Sequence, residues 1–111
     1  MLIKCHSNYG FHIIRIEQDF EEDTDFENLK NSVTQGLEDG HTKIALSMGI
    51  NTYPYSKLIS VLIQCNNLAK GRGGVLAIIQ PNKDFLDVLI RTRLDDILLI
   101  VSSEEDLEGK Q

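Results

Sequence analysis

Apolar residues recur along this chain with two different spacings. Leu2 to Ser7 alternates, with Ile3 and Cys5 on one side and Lys4 and His6 on the other, and Phe11 to Ile16 is dense in strand formers. Asn8-Tyr9-Gly10 between them has the composition of a hairpin turn. The spacing then changes. Phe26, Leu29, Val33 and Leu37 fall three or four residues apart, which predicts an amphipathic helix opened by a Thr24/Glu27 capping box and ended near Gly40.

Lys43 to Met48 predicts a third strand. A helix follows from about Ser56 to Lys70, with Leu58, Val61, Leu62, Cys65 and Leu68 as its apolar stripe, and Gly71-Arg72-Gly73-Gly74 breaks it. Val75 to Ile79 and Ile97 to Val101 are apolar without alternation, as in strands buried on both faces. Between them Pro81-Asn82 opens a helix whose apolar side holds Phe85, Val88 and Leu89, flanked by Leu86 and Ile90, and Glu104 to Glu108 leave room for a short final helix. The order ββαβαβαβ predicts an α/β fold: a mixed, mainly parallel sheet covered by helices, with an N-terminal β-hairpin.

Composition narrows the picture. A chain of 111 residues, 41% hydrophobic and 25% charged, is expected to form one domain over residues 1–111 without help from a metal or disulfide. Cys5 and Cys65 have no paired spacing and read as two buried small hydrophobic residues. Without an apolar run of about 20 residues or a basic leader, the expectation is a cytoplasmic protein with no membrane insertion. A net charge of -6 sets the long-range field against phosphate backbones, so nucleic acid is not the expected partner.

Catalytic and cofactor patterns are sparse. The glycine cluster at Gly71 to Gly74 lies between a helix and a following strand, the reverse of a phosphate-binding loop, and reads as a helix end. His6, His12 and His41 lack metal-ligand spacing, and no triad or cofactor motif is visible. The chain is therefore expected to be non-enzymatic, with no cofactor and no metal. A ligand, were one bound, would sit in the crevice at the strand ends beside Asn51 to Ser56.

The segment Asn51-Thr-Tyr-Pro-Tyr-Ser-Lys-Leu58 carries the most chemistry. Ser56 reads as a helix N-cap, worth about 1 kcal/mol, with Pro54 holding the approach extended. The same position would tolerate a phosphate, whose charge of about -1.5 to -2 suits the positive end of a helix dipole and would have Lys57 within reach. Tyr53 and Tyr55 flank Pro54 as candidate interface anchors.

From Ile44 to Leu107 the chain resembles the STAS domain of bacterial anti-sigma factor antagonists. The resemblance rests on Lys70-Gly71-Arg72-Gly73-Gly74, on Val75 to Gln80, on Thr92-Arg93-Leu94-Asp95, on Ile97 to Val101 and Glu104 to Leu107, and on the order of elements over essentially the whole chain. It implies a phosphoacceptor serine at the helix start after the third strand. Counting back without a gap from Gly73-Gly74 puts that acceptor at Ser56, with Tyr55, Lys57 and Leu58 standing where the pattern D-S-[ST]-G-L has its other residues. It also implies an acidic group after the second strand, here Asp19 or Glu21 with Asp23 nearby.

The function so implied is a partner switch. An anti-sigma factor that is also a serine kinase would bind the unmodified domain across Asp19, Glu21, Tyr53, Tyr55 and Lys57, and phosphate on Ser56 would end the binding. The alternative is a constitutive STAS-type scaffold or accessory subunit of a transport complex, using Tyr53, Tyr55 and Lys57 as contacts and no phosphate.

Overall fold

A computed structural model describes residues 3–18 and 25–110. Its elements follow the expected order: β1 (Ile3–Asn8), β2 (Phe11–Ile16), α1 (Glu27–Glu38), β3 (Lys43–Ser47), α2 (Ser56–Gly71), β4 (Val75–Ile79), α3 (Lys83–Arg91) and β5 (Leu99–Val101), with short 3-10 turns at Leu94–Asp96 and Glu104–Leu107. The five strands form one sheet in the order β1-β2-β3-β4-β5, antiparallel between β1 and β2 and parallel elsewhere. None of the described helices is long and apolar enough to cross a membrane.

This strand order dictates the layers. Each crossover steps to the next strand in the same direction, and crossovers of one hand must then place their helices on one face. Accordingly Leu29, Val33 and Leu37 of α1, Leu58, Leu62 and Cys65 of α2, and Phe85 and Leu89 of α3 share one core with Ile14, Ile44, Leu46, Leu76 and Ile78 of the sheet. The other face holds a second core of Phe11, Ile13, Ala45, Ala77, Ile79 and Val101, closed by Leu107 from the C-terminal turn. Ala45 and Ala77 are register partners at the sheet's centre, and their small side chains let that turn approach closely. Beyond them Glu104 reaches the hairpin, its carboxylate accepting from His6 Nε2 and Arg15 Nη2, each at 3.3 Å.

The end of α2 shows why the glycine cluster is there. Gly73 N–H donates to the Lys70 carbonyl and Gly74 N–H to the Ala69 carbonyl, the paired bonds of a Schellman motif with Gly73 at φ 72°. Gly74 has a different role: a Cβ built on it would lie 2.3 Å from the Thr42 carbonyl oxygen, so the chain passes β3 where a side chain does not fit. Arg93 takes the equivalent left-handed position after α3, at φ 59°.

Several expectations need correction. Cys5 is exposed, on β1 at the edge of the sheet; Cys65 is buried, and burial pushes its thiol up to about 11. Leu68 is 42% exposed, since the buried face of α2 turns toward Asn66 and Ala69. The last strand begins at Leu99 instead of Ile97, because Leu94–Asp96 form a 3-10 turn that leaves Ile97 exposed. Thr24 lies outside the described residues. The position before α1 is Phe26, with no side-chain cap, while Asp25 Oδ1 accepts from the Glu27 amide at 3.0 Å.

Candidate functional site

β3 ends at Ser47, and the chain then crosses the end of the sheet through Gly49–Tyr55 before entering α2. A turn closes on the Thr52 amide, which donates to the Gly49 carbonyl at 3.0 Å, and Tyr55 N–H donates to the Tyr53 carbonyl at 2.9 Å across Pro54. Tyr55, extended at ψ 155°, is the N-cap residue of α2 and accepts the Ile59 amide at 3.0 Å. Pro54 explains this start: its ring forces Tyr53 out of helical geometry, so the helix is delayed to the far side of the proline.

Ser56 is consequently the first helical residue and not the N-cap, and the N-cap residue Tyr55 makes no side-chain capping bond to α2. Ser56 is exposed, and no acidic residue occupies the first turn. The positive end of the α2 dipole therefore lies at the serine with no acidic side chain from the helix's own first turn to offset it. Lys57, exposed, lies beside the serine, and its Nζ sits 5.7 Å from the centroid of the Phe26 ring. It shares a shallow hollow with Asp25, Glu27 and Lys30, so the end of the acidic loop reaches the first turn of α2. Asp19 and Glu21, the acidic residues expected at this face, lie outside the described residues.

The tyrosines come together. Tyr53 is 49% exposed, and its ring is tilted against that of Tyr55 with centroids 5.2 Å apart. With Pro54, Ser56, Lys57 and Ile59 they line one wall of an open groove of about 570 Å³ whose other wall is Val88 of α3 and Thr92, which caps its end. Ile50, at the tip of the loop, is 73% exposed. Sequence gives no signal for Ile50, because an isolated apolar residue after a strand reads as the strand's last buried position. In the sequence Pro81-Asn82 marks only the opening of a helix, yet Asn82 Nδ2 donates to the Ile50 and Thr52 carbonyls, at 2.8 and 3.1 Å.

The fold also assembles a histidine pair that sequence spacing does not reveal: His12 and His41 stack with ring centroids 4.1 Å apart. Among the described residues there is no group of three or more His, Cys, Asp or Glu side chains arranged to hold a metal ion.

No protein-family model matches the chain, and no curated protein sequence matches it. Solved structures do. The NMR structure of the protein TM1081 matches with a TM-score of 0.73 at 20% identity, covering 96% of this chain and 85% of that one. The Bacillus cell fate determinant SpoIIAA, in its phosphorylated form, matches with a TM-score of 0.64 at 10% identity, covering 99% of this chain and 100% of that one. The chain thus shares its fold with SpoIIAA, consistent with the STAS-type fold that the order of its motifs anticipates.

Proposed function

We propose that this protein is a non-enzymatic regulator that works by binding another protein, in the manner of an anti-sigma factor antagonist, and that phosphorylation of Ser56 controls the binding. The observation that carries this reading is the position of Ser56: exposed, first in α2, in a first turn that holds no acidic residue. A phosphate there adds charge without disturbing the core and meets the favourable end of the helix dipole. It would also stand in the groove lined by Tyr53, Tyr55 and Val88, where a partner docked on apolar surface would meet a new, strongly hydrated anion.

The partner's footprint on this reading is Tyr53, Tyr55, Lys57 and Ile50, joined by Asp19 and Glu21 from the acidic segment that follows β2 in the sequence. The partner class is an anti-sigma factor or a related serine-kinase-like protein. The fold shared with SpoIIAA, whose structure is of a phosphorylated form, adds support.

The test is phosphopeptide mass spectrometry on the protein from its native host, in growth and under stress, paired with partner co-purification using Ser56→Ala and Ser56→Asp. The expected result is condition-dependent phosphate on Ser56, with a partner retained by Ser56→Ala and lost by Ser56→Asp. Equal retention by both variants, with Ser56 unmodified throughout, would instead favour a constitutive scaffold held by the exposed tyrosines.

A further inference from the structure

We infer that Asn82 is the positioning residue of the docking face: its side chain fixes the Gly49–Tyr55 loop to α3 and so sets the shape of the groove in which Ser56 lies. One amide group does three things. Its Oδ1 accepts from the Phe85 amide at 2.8 Å, capping α3, while Nδ2 donates to the Ile50 carbonyl at 2.8 Å and the Thr52 carbonyl at 3.1 Å. Both donor hydrogens of the amide thus go to the loop and its oxygen to the helix, which uses most of what an asparagine side chain can offer.

The consequence is geometric. The groove has one wall from the loop and the start of α2, and the other from Val88 further along α3 and Thr92 at its end. Asn82 lines neither wall, but it is bonded to the loop that leads into one and to the start of the helix that carries the other, so it ties the two elements together where the loop turns. The loop needs such a tie. Its tip residue Ile50 is mostly in water, and the buried hydroxyl of Thr52 has no hydrogen-bond partner among the described residues, so packing and polar pairing within the loop leave part of its position unsecured. No aspartate or serine can replace this arrangement: either accepts from the Phe85 amide as a cap, and neither can donate two hydrogens to the loop.

This role rests on the reading of the loop as a docking face, but its test does not require the partner. Amide hydrogen exchange by NMR is measured on the full chain for the wild type, Asn82→Asp, Asn82→Ser and Asn82→Ala. In the two cap-keeping variants the Thr52 and Tyr55 amides, protected by the loop's own turns, are expected to exchange at least about tenfold faster, while amides inside α3 stay within about twofold of wild type. Asn82→Ala should speed both regions. Loop amides that exchange at wild-type rates in Asn82→Asp and Asn82→Ser, or that speed up only in step with α3, would overturn the proposal. Failure of Ser56 to carry phosphate would leave these rates untouched, so the two readings fall separately.

Discussion

The imidazole of His12, on β2, lies flat against that of His41, in the turn before β3, with ring centroids 4.1 Å apart and planes within 8°. His12 is half-buried, over Gly36 of α1. Its pKa is lowered from the usual histidine value, chiefly by desolvation and then by His41; His6 adds to the lowering and Asp39 opposes it. The folded state therefore prefers His12 neutral. Stability from this group is fully present above the unfolded value near 6.5 and is lost as pH falls through that value toward the lower folded one. Thermal unfolding between about pH 7.5 and 5.5 should show the wild type losing stability more steeply than His12→Gln. Parallel slopes would mean that the pair stacks without resisting protonation.

Gly74 offers a sharper mechanical test. A methyl group there would meet backbone, the Thr42 carbonyl, at 2.3 Å, and backbone cannot turn aside as a side-chain tip can. Gly74→Ala is expected to lose about 2–3 kcal/mol, read as a lower urea midpoint. Gly71, the last residue of α2, has open space around its Cβ position, so Gly71→Ala should gain about 0.5–1 kcal/mol.

The C-terminal turn closes the second face with one deeply buried side chain and one surface network. Leu107, fully buried against the sheet, should cost about 2–4 kcal/mol when truncated to Ala. Glu104→Ala removes both the Arg15 and His6 contacts but should cost under about 1 kcal/mol, because those partners are partly exposed and the pairs are screened. Comparing the two urea midpoints decides whether packing or the ion pairs hold the turn on the sheet.

What could be read from sequence was what is local. The strand formers of Phe11 to Ile16, the three- and four-residue spacing of α1 and the glycines after α2 each act within a few residues, and those elements lie where the pattern puts them, apart from the start of α1. Exposure of Cys5 depends on which strand is the edge, a non-local fact. The second use of Asn82 joins residues 30 and 32 positions apart, and His12 meets His41 only because α1 brings the chain back. At Ser56 the serine and the helix start were both visible, and the error of one position came from the proline. Pro54 restricts Tyr53 alone, which leaves Tyr55 free to serve as the N-cap.

That one position has a measurable consequence. A serine at the N-cap would cost about 1 kcal/mol when replaced by Ala, because its hydroxyl would be holding a helix amide. Ser56, one residue later and exposed, should lose no more than about 0.5 kcal/mol. Ser56→Asp should gain about 0.3–1 kcal/mol at low salt from the α2 dipole, since no other acid sits in the first turn, and most of that gain should vanish at high salt. Urea unfolding of the wild type and both variants at two ionic strengths reads all of this. A loss near 1 kcal/mol in Ser56→Ala would return the hydroxyl to a capping role. A Ser56→Asp that unfolds more easily than wild type would mean the helix start repels added negative charge, and a phosphate there would then act by disrupting α2 instead of by changing the face that a partner meets.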